Sequence, residues 1–347
     1  MNSSFIKAGM TALGILTFWL TPLLTGAVAG ASELNIYSAR QEALIKPLLD
    51  RFAAQTGITV NLVTGNADAL LQRLELEGEN SSADILITTD AGRLHRAKQA
   101  NVLQAFSSSH LDKVVPASFR DPEGYWVGLS LRARPIMYVK GRVDPKELSS
   151  YEALNDPKWQ EKICIRSSNN IYNQSLVASL IAANGIDATQ AWANDFMKNL
   201  ARRPQGGDRD QIMAAAAGQC DLAIANTYYL AGMSVSRDEA QRAAANKMGV
   251  FWPNQQGRGA HVNVSGAAII KSAKNKDNAI MLLEFLVNKK SQSWYAEANG
   301  EYPVRDDVRP SKLLSAWGQF KADSLNLSKL GEYNAEAVRL MDRAGWQ

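Results

Sequence analysis

The chain has 347 residues, 46% of them hydrophobic and 21% charged, a globular composition with ample material for a core and a length that suits two domains. The formal net charge is +4 with no block of Lys or Arg, so charge alone gives no reason to expect nucleic acid, and a small anion or an anionic surface stays open as a partner. Two cysteines are too few for a zinc-finger site, and none of His95, His110 and His261 falls into a metal-binding spacing.

Lys7 precedes the apolar run AGMTALGILTFWLTPLLTGAVAGA, and polar Ser32-Glu33 follow it. This pattern predicts a signal peptide over residues 1–31, cleaved after Ala31 with Ala29 as second choice; the competing reading is an uncleaved membrane anchor. An exported chain meets an oxidising compartment, where Cys164 and Cys220 either bond to each other or stay as buried thiols.

From Glu33 onward, LNIYSA reads as a strand, QEALIKPLLDRFAAQTG as a helix ending at Gly57, and ITVNLVTG as a second strand. ADALLQRLELEGE then reads as a helix, ADILITTD as a strand and AGRLHRAKQANVLQAF as a helix. This βαβαβα series predicts an α/β fold with a parallel sheet covered by helices. YWVGLSLRARPIMYV, at 125–139, is a long strand-like run, after which the pattern resumes with KICIRSS, two helices and CDLAIAN. GAHVNVSGAAIIKSA is extended again, and helices follow it. The runs near 125–139 and 259–270 are the expected crossovers between two lobes, with a ligand cleft at their interface.

No nucleophile elbow, P-loop or dinucleotide fingerprint is present, and the glycines of PQGGDRDQ read as a turn. The tyrosines are more informative. Tyr172 stands where a strand hands over to a helix, and Tyr228-Tyr229 end an apolar run. Adjacent strand residues point to opposite faces, so this pair converges only if the strand has already ended. Asn226 and Thr227 are competent N-caps, which would place both phenols in a first helical turn, where the helix dipole favours phenolate. A phenolate is a hard anionic donor, and a highly charged cation such as ferric iron stabilises it; three phenolates balance the charge of Fe(III).

At these residues the chain resembles the periplasmic ferric-iron-binding proteins of bacterial ABC importers, the bacterial transferrin family. The likeness rests on YSARQ (37–41), ADILITTDAGRL (83–94), WVGLSLRARPIMY (126–138), CIRSSNNIYNQSL (164–176), PQGGDRDQI (204–212), NTYYLAGM (226–233), NVSGAAI (263–269) and EYPV (301–304), in order and spacing. It implies a two-lobed class II periplasmic-binding-protein fold, with an N-lobe of 32–131 plus 259–309 and a C-lobe of 132–258 plus 310–347. It also implies a monomeric, non-enzymatic periplasmic receptor that delivers ferric iron to an inner-membrane ABC permease.

Position by position, the resemblance puts metal ligands on Tyr172, Tyr228 and Tyr229, an anion-binding guanidinium on Arg132, and supporting roles on Gln41, Asn226 and Asp208. Gln41 and Glu42 stand where other members carry a His or a His-Tyr pair, and no Glu stands near Thr89. That pattern matches the three-tyrosine subclass, which completes its shell with a synergistic anion, commonly carbonate. Glu42 is a rival fourth donor, and Gln41 either donates to the anion or caps the following helix. Three further readings compete: a binding protein of the same fold that takes a polyatomic or organic anion directly at Arg132, an exported enzyme with a tyrosine base, and a structural interaction protein that binds neither ligand.

Overall fold

A computed structural model describes residues 32–347 and, of the segment before them, Met1 alone; the expected signal segment lies outside the described residues. Among the described residues no helix is long and apolar enough to cross a membrane.

The strands of the described residues are β1 (Glu33–Ser38), β2 (Thr59–Thr64), β3 (Ile85–Thr89), β4 (Leu103–Gln104), β5 (Trp126–Ala133), β6 (Ile136–Val139), β7 (Ile163–Cys164), β8 (Leu222–Ile224), β9 (Met248–Phe251) and β10 (Val262–Ile270). They form two sheets, one ordered β2-β1-β3-β10-β4 with β5 also on β10, the other ordered β7-β8-β6-β9. In the first sheet β1 runs parallel to β2 and β3, as the alternating pattern predicts. The sheet is nonetheless mixed, because β10 enters antiparallel to β3, β4 and β5. All nine residues of β10 are buried, as expected of a central strand covered on both faces.

The apolar run 125–139 divides between the sheets. Ala133 is the last β5 residue paired with β10, and Ile136 is the first paired with β8 and β9. Arg134-Pro135 makes the transition, and proline, lacking an N–H, cannot continue a ladder. The chain returns to the first sheet between β9 and β10.

Helices flank both sheets. The ones before β5 are α1 (Lys46–Thr56), α2 (Ala67–Glu77), α3 (Ala91–Gln99) and α4 (Ser109–Val114). α1 begins later than the sequence pattern suggests, after a 3-10 turn at Glu42–Leu44, and it ends at Gly57 in the left-handed conformation. Among the later helices are α5 (Ile171–Asn184), α6 (Ile186–Lys198), α7 (Asp208–Ala216), α8 (Thr227–Ser234) and α9 (Glu239–Lys247). The last are α10 (Lys276–Leu286), α11 (Lys289–Asn299), α12 (Lys312–Ser315), α13 (Ser328–Glu332) and α14 (Asn334–Arg343).

Cys164 and Cys220 are bonded, with Cα atoms 5.9 Å apart. The bond staples β7 to the approach of its parallel neighbour β8, and each of these strands leads into a helix with tyrosine in its first turn. Met137, Cys164, Ile212, Cys220 and Met248 pack in the same apolar cluster.

Candidate functional site

Two helix starts carry the phenols. Asn170 caps α5, its side chain accepting from the Tyr172 N–H at 3.1 Å, so Tyr172 stands in the first turn. α8 begins at Thr227, which puts Tyr228 and Tyr229 in its first turn, as the doublet argument expects. Their ring centroids lie 4.2 Å apart.

Asn226 occupies the N-cap position of α8, yet its side chain does not cap. Its amide oxygen instead accepts from Arg134 Nη1 at 3.0 Å. Arg134 is 1% exposed and organises the ground beneath the tyrosines. It donates to Asp208 Oδ2 at the start of α7 (3.0 Å), to Asn173 Oδ1 in α5 (2.6 Å) and to the Ile224 carbonyl at the end of β8 (3.2 Å). Asp208 in turn accepts from the Asn226 N–H at 3.1 Å. A single buried guanidinium thus ties together the starts of three helices, two of which carry phenols. No local pattern in the sequence marks Arg134, because its partners lie far away in the chain.

Tyr172, Tyr228, Tyr229, Arg132 and Gln41 all line one cavity of about 430 Å³, together with Arg40, Thr89, Arg93, Arg209 and Glu301. This cavity lies between residues of the two sheets: Arg40 follows β1, and Tyr228 follows β8. Asp208 and Asn226 lie outside its lining. Asn226 lines a small adjoining recess with Tyr172, Arg132, Asp90, His261 and Asn263. Gln41 makes no side-chain cap bond to the following turn, and Glu42 is exposed and outside the cavity lining. A larger cavity of about 890 Å³, lined by Glu152, Trp252 and Arg258 among others, contains no tyrosine.

Arg132 is 6% exposed and its guanidinium lies 5.2 Å from the centroid of the Tyr228 ring. Its fork is not turned wholly to the cavity. Nε and Nη2 donate to Glu301 Oε1 at 3.4 and 3.2 Å, and Nη2 also meets Ser265. Nη1 is buried without a partner. Arg40 grips the same carboxylate from the other side, Nη1 to Oε2 and Nη2 to Oε1, both at 3.1 Å, and Ser130 donates to Oε2. Burial alone would raise the Glu301 carboxyl, but the Arg40 and Arg132 guanidiniums hold it below the usual carboxylate range.

Burial, then the neighbouring Tyr172 phenol, pushes the Tyr228 hydroxyl well above the ordinary tyrosine range, against the pull of Arg132. Burial, Tyr172 and Asp208 raise Tyr229 in the same way. Both are therefore neutral at physiological pH. His261 is likewise uncharged: burial, reinforced by Arg258 and Arg134, brings its imidazole down to about 3. Among the described residues no group of three His, Cys, Asp or Glu side chains is placed to hold a metal.

Residues 80–321 match the model of the bacterial extracellular solute-binding proteins. The chain is 49% identical over 315 residues to iron uptake protein A1 of Synechocystis sp., covering 91% of this chain and 88% of that protein. Its backbone matches that of the Trichodesmium FutA protein in complex with iron and citrate with a TM-score of 0.89 at 49% identity, covering 91% of this chain and all of that one. The ferric binding protein from Campylobacter jejuni matches with a TM-score of 0.85 at 38% identity, over 90% of this chain and all of that one. The two-sheet architecture, the cleft between the sheets and these likenesses agree: the chain belongs to the bacterial extracellular solute-binding protein family and has its two-lobed fold.

Proposed function

We propose that this protein is a periplasmic receptor that captures ferric iron as a tyrosinate complex of Tyr172, Tyr228 and Tyr229, and passes it to an inner-membrane ABC permease. The observation that carries the reading is the gathering of three phenols, from the first turns of two helices, on one cavity with a guanidinium beside them. Helix N-termini favour the phenolate form, and three phenolates neutralise Fe(III). The named ligands of the similar proteins, iron and citrate in one case and ferric iron in another, support the same cargo. A synergistic anion, carbonate in this reading, meets the unpartnered Arg132 Nη1 and completes the shell.

The lobes are drawn as 32–131 plus 259–309 and 132–258 plus 310–347; the pairing of Arg132 and Ala133 with β10 moves the first boundary to Arg134-Pro135, and all three phenols stay in the C-lobe. The protein acts as a monomer after removal of residues 1–31, and no reaction is assigned to the site.

The test is a visible absorption titration of the mature protein with ferric citrate in bicarbonate buffer. The expected result is a red-orange charge-transfer band that saturates at one iron per chain and is lost in Tyr228→Phe/Tyr229→Phe. A colourless wild type refutes tyrosinate ligation and favours the reading in which Arg132 takes a polyatomic anion directly.

A further inference from the structure

Of the guanidiniums that line the cavity, two are engaged by a single carboxylate. Arg40 comes from the turn after β1, Arg132 from β5, and Glu301 from the segment after α11. All three side chains are nearly inaccessible, at 1%, 6% and 3% exposure. The Arg40 fork is fully used, each Nη bonded to one oxygen of Glu301, and Ser265 receives a further contact from both arginines. Arg132 is used on its Nε and Nη2 side only. Of the donors on this pair of arginines, Arg132 Nη1 and Arg40 Nε are the buried nitrogens left without a partner. A bidentate grip on an incoming anion is therefore blocked while Glu301 stays in place.

The charge count leads to the same place. Three phenolates cancel the charge of one ferric ion, and Arg40, Arg132 and Glu301 together leave one positive charge beside it. Arg93 and Arg209 also line the cavity, but both are common to every variant considered below.

The geometry points to Glu301 as the residue that sets which anion the site accepts: its carboxylate occupies the Arg40 fork and half of the Arg132 fork, and so admits an anion at one guanidinium nitrogen and limits the charge it may carry. This rests on the tyrosinate reading above. Glu301 touches no phenol in the hydrogen-bond network and acts through Arg132, as a positioning and specificity-determining residue. Two carboxylate oxygens that already accept from both arginines are a fixed internal competitor for any external anion.

Two variants move the charge in opposite directions. Glu301→Gln leaves two positive charges, and Arg40→Gln leaves none, because Glu301 then neutralises Arg132. Apo wild type and both variants are placed in carbonate-depleted buffer, and iron is added as ferrous chloride and oxidised in air. Bicarbonate and, separately, citrate are then titrated while the visible phenolate-to-iron band is followed. The half-saturating anion concentration should fall at least tenfold in Glu301→Gln and rise at least tenfold in Arg40→Gln, with larger shifts for the more highly charged citrate. Tightening in Glu301→Gln is a sign that general damage to the fold does not produce. If Glu301→Gln fails to fold, the two anions in Arg40→Gln decide the matter: a larger rise for citrate than for bicarbonate supports the charge-setting role of Glu301, and equal rises overturn it. Equal half-saturation in wild type and variants, each still showing the band, overturns the role of Glu301 and leaves the tyrosinate reading intact. A wild type with no band removes the tyrosinate reading and this inference with it.

Discussion

Replacing the two cysteines by alanine tests how much of the tyrosine-bearing half depends on its covalent staple. The bond spans a sequence separation of 56, and closing a loop of that length in the unfolded chain is worth about 4 kcal/mol on the chain-entropy model. A chain of this size unfolds with an entropy on the order of 0.7 kcal/mol/K near its midpoint, so Cys164→Ala/Cys220→Ala should lower the midpoint by about 6 °C. Differential scanning calorimetry of the double variant against the oxidised wild type, without reductant, measures this. The iron band should survive, because Ile163 and Cys164 keep their parallel register with Leu222 and Ala223 whether or not the sulfurs are joined. A midpoint within about 1 °C of wild type would refute the entropic argument. Loss of the band in a folded double variant would show that the staple, and not the strand pairing, sets the position of the phenols.

Three further outcomes follow from particular contacts. Gly300 adopts φ +62°, and a Cβ there would stand 2.9 Å from the Ala231 Cβ in α8; Gly300→Val should cost about 2 kcal/mol or more in urea unfolding and, by pressing on the helix that carries the tyrosine pair, speed iron loss to a chelator. Asn263 Oδ1 accepts from Ala91 N and Val264 N at 2.8 Å each, so its Nδ2 must donate, and it does so to Asp90 Oδ2 at 2.8 Å. Asp90→Asn sets an amide NH₂ against the Asn263 amide or the Gly92 N–H and should cost about 1–3 kcal/mol by denaturant titration, whereas unchanged stability would mean that Asp90 is protonated in the native protein. Iron binding must expel the protons of Tyr228 and Tyr229, both raised by burial, so affinity rises with pH; against a chelator of known pH dependence, the logarithm of the binding constant should climb by at least two per pH unit between about pH 6 and 8, and a flat profile would exclude both phenolates.

Much of this organisation is local and so can be read from the chain. The helix-strand alternation over the first three strands rests on short-range periodicity, and the first-turn position of Tyr228 and Tyr229 follows from Asn226-Thr227 and from the impossibility of convergence on a strand. The break in the run 125–139 was also written locally, in Pro135, though the apolar stretch on either side masks it. What escaped is long-range. Arg134 finds Asn173, Asp208 and Asn226 far along the chain, and Glu301 finds Arg40 across most of it. No spacing signals such partners, because tertiary folding alone brings them together. Asn226 illustrates the cost of a local rule: its cap propensity is real, but Arg134 offers its oxygen a charge-assisted bond that capping does not match.

The Arg134 hub bears on how the cargo is given up. In the proposed reading all three phenols sit on helices fastened to one another beneath the cleft, so opening the protein leaves the iron still seated on an intact half-site. Closure then governs how long the ion dwells, and the phenols govern how tightly it is held. A permease that merely pries the two halves apart would receive an empty hand. Release needs a chemical agent as well, either protons returned to the oxygens or a competing ligand that enters while the cleft is open, and the timing of delivery is set by that agent's arrival.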